Sequence, residues 1–246
     1  MEAPTGSGKT LAYLLILLLW VAHNGKQQVF ISTNTKNLQD QLHRDLPKIA
    51  AVLGLEGTIR VADMKGIDNY ACRTKIENYI KNGTAITLPE RLAGLYLFNW
   101  SQRASGELEE VSYWMKQNYP VLNRLVYEVS CSKEDCLEEG CKYQSSCFYL
   151  EKLAAMRKAH ICTINHSLLL KWPWDYPELK RLVIDEAHNI EGAAYDKFSN
   201  QASLFDIKLF LKRLVRDEEK GYLNIFRHFC NRYFKTLDIR AIFVIF

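Results

Sequence analysis

Apolar positions run almost unbroken from Leu11 to Ala22, and the polar pair Asn24-Gly25 closes the run as a turn. A run of this length suits a helix buried under a sheet and is too short to cross a bilayer. The apolar trio Val29, Phe30 and Ile31 within Gln28–Ser32 predicts a short strand covered on both faces, as in a parallel sheet. Thr33-Asn34-Thr35 then opens a helix through Leu38, Gln41, Leu42 and Leu46, with Pro47 near its end. Strand, polar turn and helix make a βα unit, and Thr58–Ala62 predicts a second strand. From Glu77 to Tyr127 the pattern is helical and divided by Gly83, Pro89 and Gly106; it leaves the βα alternation and reads as an insertion. Phe148–His160 is amphipathic, Ile161–Ile164 and Arg181–Ile184 read as buried strands, and helical spacing resumes at Glu191 through Leu204, Ile207, Phe210, Leu211 and Leu214.

Composition narrows the class. The chain has 246 residues, room for one large or two modest domains, and its 48% apolar content excludes a disordered chain. A net charge of +4 admits a nucleic-acid partner without requiring one. Four of the seven cysteines (Cys131, Cys136, Cys141, Cys147) crowd into one loop. A large chain with one local cysteine cluster points to a metal or cluster site in a reducing compartment, not to a disulfide scaffold. Glu2 and Lys9 precede the apolar run and no small-residue cleavage site follows it, so a secretory leader is not expected.

Two motifs carry nucleotide chemistry. Ala3-Pro4-Thr5-Gly6-Ser7-Gly8-Lys9-Thr10 fits a phosphate-binding loop with Ala3 in place of the usual first glycine. Gly6 and Gly8 let successive amides point into one hollow, and the following helix adds its N-terminal partial charge. Lys9 reaches the outer phosphates and the Thr10 hydroxyl ligates Mg²⁺. The apolar strand ending at Ile184 delivers Asp185-Glu186-Ala187-His188. Asp185 is expected to hold Mg²⁺ through water, and Glu186 to orient and deprotonate the attacking water. Thr33 and Thr35 read as helix-capping residues. Cys136, Cys141 and Cys147 place three thiols on one loop, with Cys72 or Cys131 as the fourth. Four thiolates suit Zn²⁺ or an iron–sulfur cluster, and the wide gaps favour the bulkier cubane. His228 and Cys230 find no further ligands nearby.

Phosphate loop, Thr-Asn-Thr strand end, cysteine insertion and Asp-Glu-Ala-His stand in one order. That order resembles the iron–sulfur superfamily 2 DNA helicases of the DinG/XPD group, and the bacterial DinG/YoaA branch most closely. Lys65-Gly66-x-x-Asn69-Tyr70-x-Cys72, Cys136-x4-Cys141-x5-Cys147-Phe148 and Asn165-His166-Ser167-Leu168-Leu169 are similar to motifs of that branch. The resemblance implies an α/β fold: RecA-like motor domain 1 in residues 1–64 and 151–192, an inserted iron–sulfur domain in 65–150, and the start of a helical arch in 193–246. It implies a [4Fe–4S] cluster on Cys72, Cys136, Cys141 and Cys147, with Cys131 a bystander, and ATP on the loop from Ala3 to Thr10. His188 would couple the nucleotide to DNA movement. The implied activity is ATP-driven 5′-to-3′ movement on single-stranded DNA in repair or replication, in the cytoplasm and away from membranes.

Met1 and Glu2 alone precede the phosphate loop, and the apolar Ala241–Phe246 closes the chain. A fragment lacking the second motor domain, and so not competent to unwind DNA by itself, is the expectation. Two rival readings are a non-enzymatic remnant keeping a cluster-bearing DNA-binding module, and a phosphate-loop ATPase with a structural zinc. Lys65, Arg73, Lys75, Lys142 and Lys152 interleave with Tyr70, Tyr79, Tyr143 and Tyr149 around the proposed ligands. These residues are either a solvated basic surface over a tyrosine-lined core or a phosphate-and-base contact. The resemblance favours DNA.

Overall fold

The computed structural model describes residues 8–25, 27–81, 87–133, 136 and 140–199. Four parallel strands form one sheet in the order β2-β3-β1-β4, with β1 Val29–Thr33, β2 Val61–Asp63, β3 Ile161–Asn165 and β4 Leu182–Ile184. The α/β class and parallel sheet expected of a RecA-like motor domain are present. β1 and β3 are buried along their whole length, which is why they read as continuous apolar runs.

Alternation along the strands sends side chains to two cores. Val29, Ile31 and Ile161 face α1 (Lys9–His23) and α2 (Lys36–Val52), where they meet Leu14, Leu18, Leu42 and Leu46. Phe30, Cys162 and Ile164 face the other way, into a core shared with the inserted segment. That segment folds as α3 (Arg73–Lys81), α4 (Leu88–Ser101), α5 (Tyr113–Asn118) and α6 (Pro120–Glu128), then α7 (Phe148–Lys158) returns to the sheet. Ile76, Leu97, Leu122 and Leu125 from the insertion pack in the same cluster as the sheet residues. Residues up to Lys197 accordingly form one compact unit.

Several boundaries differ from the sequence reading. β2 starts at Val61 rather than Thr58, because residues 54–59 turn and only Val61–Asp63 align with β3. α2 runs past Pro47 to Val52: Leu42, Leu46 and Ala50 keep one buried face, and that burial outweighs the backbone bond a proline forfeits. Pro89 divides the helical stretch as expected, standing in the first turn of α4. Thr87 caps that helix, its Oγ1 accepting from Glu90 N–H at 3.4 Å while Glu90 Oε2 accepts from Thr87 N–H at 2.9 Å. Thr35 is the N-cap of α2, accepting from Leu38 N–H, and Thr33 is buried with its hydroxyl on Thr35 O. Buried Gln39 ties two strands together, its Nε2 donating to Met64 O and Thr163 O at 3.0 and 2.9 Å. α8 (His166–Leu170) follows β3, and α9 (Ile190–Phe198) follows the β4 turn. The periodic positions from Leu204 to Leu214, and His228, Cys230 and Ala241–Phe246, lie outside the described residues. No helix among the described residues is long and apolar enough to cross a membrane.

Candidate functional site

Ala3, Pro4, Thr5, Gly6 and Ser7 lie outside the described residues; the site is built from Gly8 onward. Gly8 caps α1 with φ 79°, a left-handed turn that a side chain would strain. Its turn leaves the first amides of α1 without helical acceptors, beside Lys9 and Thr10. Parallel pairing with β1 brings the C-terminal edge of β4 to the same end of the sheet. There Asp185 N–H donates to Ser32 O at 2.8 Å. Glu186 follows at φ 52°, a left-handed conformation costly for a non-glycine residue and one that lifts its carboxylate off the strand line.

The two motifs meet at this edge. Lys9 Nζ lies 3.7 Å from Glu186 Oε1, and His188 Nε2 lies 3.4 Å from Glu186 Oε2. Tyr13 sits beside Asp185 and Thr10; burial first, then the Asp185 charge, pushes its phenol well above the usual range. A cavity of about 590 Å³ opens here between α1 and α2, lined by Gly8, Lys9, Thr10, Gln41, Lys48 and Glu186. That volume is within the range of small-molecule sites. A cation, a helix N-terminus and a displaced carboxylate around one cavity are equipped to bind a polyphosphate and polarise a water.

One residue here carried no role in the sequence reading. His166 is buried, its Nδ1 2.7 Å from Ser32 Oγ, and it lies against the backbone of Asp185 and Glu186. Burial pushes the ring below the usual imidazole value, against the pull of that backbone. Asn165 Oδ1 caps α8 by accepting from Leu168 N–H at 2.8 Å, which fixes where His166 starts. Polar Asn165-His166 directly after an apolar strand was the available signal.

The cysteines gather around a second backbone device. Ala71 and Ser130 form an isolated antiparallel bridge, with Cys72 N–H on Val129 O at 2.7 Å and Cys131 N–H on Tyr70 O at 2.8 Å. The Cys131 thiol lies against those of both Cys147 and Cys72 and keeps its proton; hydrogen bonding from it pulls both neighbours down to about 6. Cys141 Sγ is 3.4 Å from Thr74 Oγ1, two residues after Cys72, while Cys136 is exposed. All six described cysteines are free. No group of three or more His, Cys, Asp or Glu among the described residues is arranged as a ready metal site. The donor set nevertheless fits a thiolate-held group in its chemistry, since it supplies soft sulfur ligands.

The basic residues around the thiols are engaged by partners within the chain. Lys65 is 1% exposed, with Nζ 2.7 Å from Glu107, 3.1 Å from Glu109 and 3.1 Å from Asp40. Lys152 Nζ pairs with Asp63 at 2.9 Å and Glu107 at 2.7 Å. Lys142 pairs with Glu77, Lys75 donates to Ser130 O, and Arg73 lies over the Phe148 ring while donating to Ser146 O. Tyr70 and Tyr149 are buried, Tyr79 packs on the core and Tyr143 donates to Glu77. Lys65, Lys142 and Lys152 are held by carboxylates of α2, β2, α3 and residues 107–109, and Lys75 and Arg73 by backbone carbonyls.

Comparison with known proteins agrees with the site. Residues 1–116 match the DEAD/DEAH box helicase family. The chain is 30% identical over 215 residues to the ATP-dependent DNA helicase YoaA of Escherichia coli, covering 82% of this chain and 32% of that protein. It is 29% identical over 234 residues to YoaA of Haemophilus influenzae, covering 89% and 34%. It is also 30% identical over 243 residues to the 3′-5′ exonuclease DinG of Bacillus subtilis, covering 94% and 24%. The chain thus spans about a third or less of the length of the curated relatives it matches.

Proposed function

The chain belongs to the DinG-like DEAD/DEAH-box helicases of superfamily 2, and on that premise we propose that it forms part of the motor of an ATP-dependent DNA helicase. The observation that carries this reading is the 3.7 Å approach of Lys9 to Glu186, which joins a phosphate-loop cation to the Asp-Glu-Ala-His carboxylate at one cavity. The loop from Ala3 to Thr10, including Gly6, Ser7 and Gly8, would hold the ATP phosphates, with Lys9 on the outermost. Thr10 and Asp185 would hold Mg²⁺, which when bound offsets phosphate charge. Glu186 accepts the proton of the attacking water. His188, paired with Glu186, relays the state of the nucleotide site.

The resemblance carries the finer reading. Motor domain 1 occupies 1–64 and 151–192, the iron–sulfur domain 65–150, and a helical arch begins in 193–246. Cys72, Cys136, Cys141 and Cys147 would hold a [4Fe–4S] cluster, which when bound cross-links α3 to the loop before α7. The work done is movement 5′ to 3′ on single-stranded DNA, in repair or replication in the cytoplasm.

Binding of a fluorescent ATP analogue with Mg²⁺ tests the reading. Lys9→Ala should weaken binding at least tenfold. Glu186→Gln should keep binding but cut the chain's hydrolysis by about 10²–10⁴, the usual contribution of a positioned base. Unchanged nucleotide affinity in Lys9→Ala sinks the assignment. Single-stranded, duplex and 5′- or 3′-tailed DNA then separate strand preference and polarity.

A further inference from the structure

Three strands end at the nucleotide edge, and one residue ties two of those ends together. Ser32 of β1 stands opposite Ile164 of β3 and Ile184 of β4. Its carbonyl accepts from Asp185 N–H at 2.8 Å, and its hydroxyl lies 2.7 Å from His166 Nδ1. Ser32 thus holds the first carboxylate residue of Asp-Glu-Ala-His by its backbone and the imidazole that follows β3 by its side chain. We propose that His166 is a positioning residue for the acidic turn, acting through Ser32 on Asp185 and so on Mg²⁺-dependent nucleotide binding. This rests on the nucleotide-site reading above and goes beyond it by adding a residue that lies outside both motifs.

Packing alone does not account for an imidazole here. His166 and Ser32 are both 0% exposed, and an apolar side chain would occupy such a position without desolvating two ring nitrogens. Nδ1 is served by Ser32, whereas Nε2 is buried with no partner among the described residues. An interior polar atom left unpaired costs stability and marks a side chain retained for something other than packing. The ring is also held in place from its own side, since Asn165 caps α8 by accepting from Leu168 N–H at 2.8 Å. At the far end, Asp185 N–H still bonds to the sheet through Ser32 O, and Glu186 then turns away at φ 52°. A left-handed non-glycine residue persists only where its neighbours over-determine it. Ser32 is the neighbour that fixes where this turn begins, and His166 fixes Ser32. Groups of this kind, one contact removed from a metal ligand, orient the ligand and tune its affinity.

The test is the affinity of a fluorescent ATP analogue for the full chain, measured with Mg²⁺ and again with the cation chelated. The ratio of the two isolates what the acidic turn contributes, and a merely structural change would move both arms together. His166→Ala should leave the chelated arm unchanged and weaken the Mg²⁺ arm by about 10–100-fold, the usual effect of removing an outer-shell partner of a metal ligand. Ser32→Ala, which deletes only the hydroxyl, should do the same. The double variant should be no weaker than either single one, because both remove one shared contact. Far-ultraviolet circular dichroism shows which chains fold, and Ser32→Ala carries the test by itself if His166→Ala does not. An unchanged ratio in folded Ser32→Ala, equal loss in both arms, or full additivity in the double variant overturns the proposal. An unsubstituted chain whose nucleotide affinity does not depend on Mg²⁺ removes the nucleotide-site reading, and the positioning role with it.

Discussion

Single side chains decide more here than their conservative replacement suggests. Gly106 has φ +86°, and a Cβ added there would sit 2.0 Å from Cγ of Phe148, the residue after Cys147. Gly106→Ala must therefore either strain the backbone or push Phe148 out of the core. We expect a loss of at least about 2 kcal/mol, read as a lower urea midpoint, from left-handed strain plus overpacking. His166 sets a pH dependence at the same scale. Its folded pKa is depressed by burial, so the unfolded chain binds the proton more readily. Stability should be full above the ordinary imidazole value of about 6.5 and fall as pH drops below it. His166→Gln, which can still bond Ser32 but does not titrate, should flatten that fall. Equal urea midpoints for the two chains at pH 7.5, with equal drops at pH 5.5, would show that His166 is not the group responsible.

At the scale of elements, the insertion is joined to the sheet by buried charge as well as by apolar packing. Asp40 of α2 and Asp63 of β2 face Glu107 and Glu109 of the insertion through Lys65 and Lys152. Burial alone would raise the Glu107 carboxyl, but Lys152 and Lys65 outweigh it and hold it below the usual range. Removing Lys65 leaves three carboxylates around an empty pocket. Lys65→Ala should cost about 3–5 kcal/mol, the usual penalty for breaking a buried pair. Chemical denaturation measures it, and a change under 1 kcal/mol would mean that water already screens the group. The stability that Glu107 contributes is present above the ordinary carboxylate pKa and is lost as pH falls through its depressed folded value.

For the whole molecule, the parts written in local pattern were legible and the parts written in long-range pairing were not. β1 and β3 follow from their apolar runs, α1 from Leu11–Ala22, and the meeting of Lys9 with Glu186 from the order of the motifs. Lys65 read as a surface base because its three acidic partners are distant in sequence. The Ala71–Ser130 bridge that carries Cys131 to Cys72 has no signature in spacing. The lysine-centred joint has a mechanical corollary. Apolar surfaces slide past one another at little cost, whereas a lattice of buried opposite charges resists shear, since each step would strand an ion without its counter-ion. A displacement that begins where α2 leaves the nucleotide edge is then handed through Asp40 and Lys65 to Glu107 as through a clamped lever.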